Sequence, residues 1–182
     1  MNKKFELLLD DTITIFGIKL FRIKALINFG SVEEGDLGGY IEKEDNLSFY
    51  GNAWVSGNAW VSGNAEVYGN AWVSGNAWVS GDARVSGNAR VSGNAWVSGD
   101  ARVSGDARVY GNADYIVFKN HWSSGRYFTY TKSNKMWRVG CFYGTGQELI
   151  NKAYQDSEVS GKHYEAYVEF VEKLEKLEET ND

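Results

Sequence analysis

The sequence predicts a mainly β protein built around a parallel β-helix, and three observations carry that reading. Eleven glycines stand at intervals of six from Gly51 to Gly111, each followed by Asn or Asp, then Ala, a variable residue and usually Val. Within a unit, Ala-x-Val-Ser alternates small apolar, variable, branched apolar and polar, the period of two expected of a half-buried strand. On either side of this tract the six-residue period stops and ordinary strand and helix patterns take over.

Residues 1–44 read as an N-terminal β cap. FELLLDDTITIFGIKLFRIKALI, residues 5–27, alternates around Gly17 and predicts two or three antiparallel strands. GSVEEGDLGGYIEKEDNLS then leads into the repeats. An open end of a β-helix exposes unpaired backbone groups and apolar interior, which gives this segment its simplest role.

Residues 45–116 are the coil. Gly-Asn and Gly-Asp supply the positive-φ turns. Strands of four residues and turns of two cannot build a regular hairpin ladder without long loops, but they can wind so that each strand stacks in parallel on the turn below. Three hexapeptides per turn make a triangular prism of about three and a half turns, roughly 15–20 Å tall at a strand spacing of about 4.8 Å.

Residues 117–182 are read as an α/β appendage ending in a helix. YIVFK and YFTYTKSNKMWRVGCF have strand character. Thr145 to Glu148 is a capping box opening a short helix with Leu149, Ile150, Ala153 and Tyr154 on one face. A longer helix near 161–179 carries Tyr164, Tyr167, Val168, Val171 and Leu174 as its apolar stripe.

The spacing from Val55 to Ala59, Val61 to Ala65 and Val67 to Ala71 resembles the left-handed parallel β-helix of the hexapeptide-repeat superfamily, whose pattern sets an aliphatic residue four positions before a small one. Ser or Tyr follows the aliphatic residue here, where the family often has Gly, Ala, Glu or Asp. The left hand is an implication of that resemblance, since periodicity does not fix a hand. With its GDLGG lead-in, Asn-Leu-Ser junction and Cys-Phe-x-Gly-Thr segment before a helix, the chain also resembles phage-associated hexapeptide-repeat proteins.

Bulk properties narrow the function classes. An apolar content of 43% fits a globular domain, and a net charge of −5 argues against generic nucleic-acid or acidic-membrane binding. Cys141 is the sole cysteine, and no apolar run approaches the ~18 residues of a membrane span. With no signal-peptide pattern after MNKKFELLLDD, a cytoplasmic protein is expected. Two histidines and one cysteine, far apart, form no metal set, and no cofactor motif is present.

Sorting the variable residue by eighteen separates three faces. Trp54, Trp72, Arg90 and Arg108 fall on one; Trp60, Trp78, Trp96 and Asp114 on the second; Glu66, Arg84 and Arg102 on the third. These side chains are expected outside the prism. Indole ladders of this size mark a contact surface, or stack on one another as rungs aided by arginine. Arg84 and Arg102 either pair with Asp82, Asp100 and Asp106 or clamp a phosphate or carboxylate. The superfamily resemblance implies a homotrimer packed through prism faces, with pockets between subunits.

The same resemblance implies comparison with acyltransferases, which use a histidine where subunits meet. His121, in NHWSSGR, is the candidate base; His163 reads as a helix-surface residue. Cys141 is expected to be buried by its apolar flanks, and GCFYGTGQE lacks the Walker lysine but leads into a helix start that can bind an anion. No Thr occurs between 51 and 113, against an ice-binding array, and the mixed charge of the coil is wrong for DNA mimicry. The expected function is a non-catalytic, self-associating binding protein. Its partner would be a nucleotide-like small molecule or a host defence protein, as in phage counter-defence. The alternatives are an acyltransferase using His121 and a structural or virion-associated module.

Overall fold

The computed structural model describes residues 3–179. The first two residues of the expected cap and residues 180–182 of the expected appendage lie outside the described residues. Strands β1 (Phe5–Ile15) and β2 (Ile18–Ala25) form an antiparallel hairpin, and β3 (Leu37–Ile41) pairs antiparallel with β2 on one side and parallel with the coil on the other. Ten two-residue rungs follow: β4 (Trp54–Val55), β5 (Trp60–Val61), β6 (Glu66–Val67), β7 (Trp72–Val73), β8 (Trp78–Val79), β9 (Arg84–Val85), β10 (Arg90–Val91), β11 (Trp96–Val97), β12 (Arg102–Val103) and β13 (Arg108–Val109). The appendage contains β14 (Tyr115–Lys119), β15 (Tyr127–Thr131), β16 (Met136–Val139), β17 (Phe142–Gly144) and helices α1 (Gly146–Asp156) and α2 (Glu158–Glu179).

The rungs stack in three parallel sheets, β4-β7-β10-β13, β3-β5-β8-β11 and β6-β9-β12, so the three faces expected from eighteen-residue sorting are real. Every Ala and Val from Ala53 to Val109 in the repeats is fully buried, and together they form the core of the prism. The stack is about four turns deep because the lead-in completes a coil: Tyr40 pairs with Trp60, and Leu47 bridges Val67. That first coil escapes the sequence period because its partners are 20 residues apart, not 18. The corners need glycine at close quarters. Gly87 has φ +68°, and a Cβ there would stand 2.9 Å from the Gly105 nitrogen on the next coil.

Backbone hydrogen bonds join successive coils. Trp54, Ser56 and Asn58 donate their N–H groups to the carbonyls of Ala71, Val73 and Gly75, and the pattern repeats up the stack. Successive residues of a parallel rung point their N–H and C=O groups to alternate sides, so each end presents both: Gly63 N donates down to the Glu42 carboxylate, and the Trp96 carbonyl accepts from the Tyr115 hydroxyl above. Side chains from the flanking segments cap both ends. Below, the Lys4 ammonium donates to the Ala53 carbonyl at 2.8 Å, and the Asn46 amide donates to Gly63 and Ala65. Above, one side-chain oxygen meets each face: Asn112 accepts from Trp96 N at 2.8 Å, Thr129 from Arg102 N at 2.9 Å and Ser133 from Arg108 N at 2.7 Å.

The N-terminal hairpin does more than close the lower end. Phe5 stacks on Phe49 beneath the coil, while the turn at Phe16 and Gly17, both at positive φ, carries the Phe16 ring along a prism face to Trp78. In the appendage the four-stranded antiparallel sheet β14-β15-β16-β17 packs against both helices through Phe128, Tyr130, Trp137, Val139, Leu149, Val168 and Val171. Thr145 caps α1: its hydroxyl accepts from Glu148 N, and Glu148 accepts in return from Thr145 N at 2.8 Å. The Thr145 backbone N–H and hydroxyl, both donating to the Glu148 carboxylate, hold it below its ordinary pKa. Among the described residues, no helix is long and apolar enough to cross a membrane.

Candidate interaction surface

The three faces carry different chemistry, and the cap and appendage decide how much of each reaches solvent. On the face of β4, β7, β10 and β13, Trp54 projects from the coil as expected but is only 2% exposed. Phe29 meets its ring edge-on at 5.4 Å, and Gly38 lies so close that a Cβ would strike the indole at 2.7 Å. Trp72 is half-buried, its ring leaning down so that Nε1 donates to the Ser56 hydroxyl at 3.1 Å. Arg90 and Arg108 continue the column in register with it and are exposed. Neither guanidinium has an ion pair among the described residues.

A groove of about 370 Å³ runs along this column, bounded by Trp72, Arg90 and Arg108 on one side and by Asn70, Asn88 and Asp106 at the prism corner. The corner is a ladder of side-chain amides. Asn52 donates to Asn70 at 3.2 Å, Asn70 to Asn88 at 3.1 Å, and Asn88 to the Asp106 carboxylate at 2.9 Å. A second ladder joins Asn58, Asn76 and Asn94, and Asn64 donates to Asp82. These ladders were not anticipated from the sequence, where Gly-Asn reads only as a turn. Sorting the residue after glycine by eighteen, as for the variable residue, would have found them.

The second face is an aromatic stack. Trp60 and Trp78 lie 4.0 Å apart between centroids, and Trp78 and Trp96 lie 4.4 Å apart with planes 3° from parallel. Phe16 stacks on Trp78 at 5.5 Å. Trp60 is buried at 7% exposure, whereas Trp96 at the top is 45% exposed and bonds Ser80 through Nε1. Asp114 does not join this column. It sits in a 3-10 turn (Asn112–Asp114), where its carboxylate accepts from Tyr110 N and Gly111 N, and Asn112 takes the place above Trp96.

The third face is satisfied internally. Arg84 pairs with Glu66 one coil below at 3.6 Å, and Arg102 donates to the Gly140 carbonyl of the appendage at 3.2 Å. Asp82 and Asp106 serve the corner ladders, and Asp100 lies against Tyr127, whose hydroxyl pKa its charge raises. The expected pairing of Arg84 and Arg102 with these aspartates is therefore replaced by Glu66 and Gly140.

The remaining candidates sit in the appendage. His121 is exposed, its Nδ1 3.3 Å from the Tyr167 hydroxyl, which itself donates to Asn120. His163 lies within α2 under the edge of Trp122 at 4.4 Å, with Nδ1 2.8 Å from the Val159 carbonyl. Cys141 is exposed, contrary to its apolar flanks, because it occupies the tight β16–β17 turn after Gly140 at φ +57°. No group of His, Cys, Asp and Glu suited to a metal ion occurs among the described residues.

The family model described as the YdcK β-solenoid repeat matches residues 65–81, 83–99 and 101–113, all within the stacked coil. The coil is a β-solenoid. The similarity covers the central repeats and leaves the hairpin and the appendage unmatched. No curated protein matches the chain. On the solenoid's surface, the Trp72–Arg90–Arg108 groove is where cations without an ion pair among the described residues meet an aromatic side chain.

Proposed function

We propose that this protein is a non-catalytic capture protein whose solenoid groove takes a ligand bearing a planar ring and an anionic group. The observation that carries this reading is the register of Trp72, Arg90 and Arg108, with both guanidiniums unpaired among the described residues and the groove open beside them. A ring stacks on indole while two guanidiniums, roughly one 4.8 Å strand spacing apart, share an anion. A nucleotide-derived signal has this composition. The resemblance to hexapeptide-repeat proteins extends the proposal: a left-handed winding, a homotrimer packed through prism faces, and a phage protein that sequesters such a signal, or blocks a host defence protein, in the host cytoplasm. Exposed Trp96 and Phe16 on the aromatic face supply an apolar surface for self-association.

Tryptophan fluorescence of the full chain, titrated with a panel of linear and cyclic nucleotides, tests the groove. Saturable quenching is expected with at least one nucleotide, weakened at least tenfold by Arg90→Ala or Arg108→Ala and by raised salt. No response to any of them at millimolar concentration overturns the reading. Sedimentation equilibrium tests the assembly: a mass near three times 20.4 kDa is expected, reduced by Trp96→Ala.

A further inference from the structure

The appendage contains a groove of about 510 Å³ between its sheet and helices, separate from the solenoid surface. That volume lies in the usual range of small-molecule sites, about 300–1,000 Å³. Its floor is Tyr130 and Trp137, both almost fully buried. Three kinds of donor converge there. The N-terminus of the eleven-residue helix α1 opens into the groove, and its first α-helical bond is Leu149 N to Thr145 O. Glu148 N is taken by the Thr145 hydroxyl, which leaves the N–H groups of Gly146 and Gln147 for an external acceptor.

The second donor is the Trp137 indole N–H. Trp137 is 2% exposed and lines the groove, yet its Nε1 has no hydrogen-bond partner among the described residues. It stands at the helix start, 3.3 Å from the position of a Cβ on Gly146. The ring is buried while its N–H borders the open groove, and a ligand oxygen here would be held by the indole and the helix terminus together. Lys135 and Lys176 supply positive charge at the rim, but Glu172 and Glu175 line the same groove. Glu175 accepts from the Tyr130 hydroxyl at 2.8 Å, which fixes its carboxylate beside the aromatic floor. Two cations and two anions give a lining with no net charge, which disfavours a dianionic phosphate and suits a ligand with one charge of each sign.

We propose that this groove binds a small zwitterion of the free amino-acid class, its carboxylate on the Trp137 indole and the α1 N-terminus and its ammonium on Glu172 and Glu175. The test is ¹⁵N-edited NMR of the full chain with the Trp137 indole resonance assigned by triple-resonance methods. The chain is titrated with each of the twenty amino acids, and with acetate and inorganic phosphate as probes of simple anion binding. Expected is a saturable shift of the Trp137 indole with at least one amino acid, weakened at least fivefold by Glu172→Gln at an exposed position and unchanged by Arg90→Ala. An indole unmoved by every amino acid overturns the proposal, as does an equal shift with acetate or phosphate at the same concentration. The Arg90→Ala arm separates this groove from the solenoid groove, so the two proposals stand or fall independently.

Discussion

Trp78 and Trp72 carry the same side chain in the same repeat and face different accounts. The Trp72 N–H reaches Ser56, and the Trp96 N–H reaches Ser80, each sixteen residues back. The corresponding bond from Trp78 is missing: its Nε1 is buried without a partner, between Trp60, Trp96 and the Phe16 ring of the hairpin. An orphaned buried donor costs about 1–3 kcal/mol, whereas a typical satisfied bond contributes about 0.5–1.5 kcal/mol. Trp78→Phe is therefore expected to lower stability less than Trp72→Phe, by about 1 kcal/mol, although Trp78 is the more deeply stacked ring. Denaturant midpoints of the two variants decide it. Lys4 is the other residue whose environment sets a measurable quantity. Burial lowers its pKa to about 8 even though its ammonium donates to Ala53 and lies over Phe29. The unfolded chain, with a lysine pKa of about 10.4, then binds more protons between those values, so stability rises with pH across that window. The rise is on the order of 2–3 kcal/mol, and Lys4→Met should flatten it. An identical pH slope in the wild type and Lys4→Met would exclude Lys4 as its source.

Unpaired backbone groups account for the capping at both ends of the solenoid. Successive residues of a rung point their N–H and C=O groups to alternate sides, so each end needs donors and acceptors. Lys4 and Asn46 donate and Glu42 accepts below, while Asn112, Thr129 and Ser133 accept and Tyr115 donates above. Water can replace an exposed partner but not a buried one. Thr129 is buried, so Thr129→Val, which keeps the shape and removes the acceptor, is expected to cost about 1–3 kcal/mol and to speed hydrogen exchange at the Arg102 amide. Ser133→Ala, at an exposed site, is expected to stay within about 0.5 kcal/mol of wild type. Equal costs for the two would mean that burial is not what distinguishes the caps.

At the scale of the molecule, the solenoid is a nearly one-dimensional object in which each coil touches mainly the ones above and below. Removing residues 82–99, a full eighteen, joins Gly81 to Asp100 and returns every face to its own column. Such a shortened chain is expected to remain folded, with circular dichroism per residue in the coil unchanged and a lower melting temperature. Removing residues 82–87 instead rotates everything above by one face, the upper caps together with their own rungs. Trp96 then stands over Trp72 and Arg102 over Trp78, so cooperative melting is expected to persist while the near-ultraviolet dichroism of the Trp60–Trp78–Trp96 stack is lost. Loss of cooperative melting in the six-residue deletion would mean that column order, and not the hexapeptide unit, carries the specificity.

The repeat itself was fully legible. Ala and Val at alternate positions and Gly every six residues specify a prism with an apolar core, because no other packing buries that pattern and satisfies its backbone. The three columns were legible for the same reason, down to the register of Trp72 with Arg90 and of Glu66 with Arg84. The first coil was not, because two extra residues between Leu47 and Val55 stretch its spacing from 18 to 20. The exposure of each column was also hidden: periodicity says that Trp54, Trp72 and Trp96 all point outward, but not that Phe29 and Gly38 cover the first. The sequence by itself determined the solenoid and the chemistry available on each of its faces, since local alternation and turn geometry act over a few residues. Only the tertiary structure decided which of that chemistry is free. Glu66 and Gly140 occupy the arginines of one face, the hairpin covers part of another, and the open Trp72–Arg90–Arg108 groove is what remains, because burial and pairing depend on segments far apart in the chain.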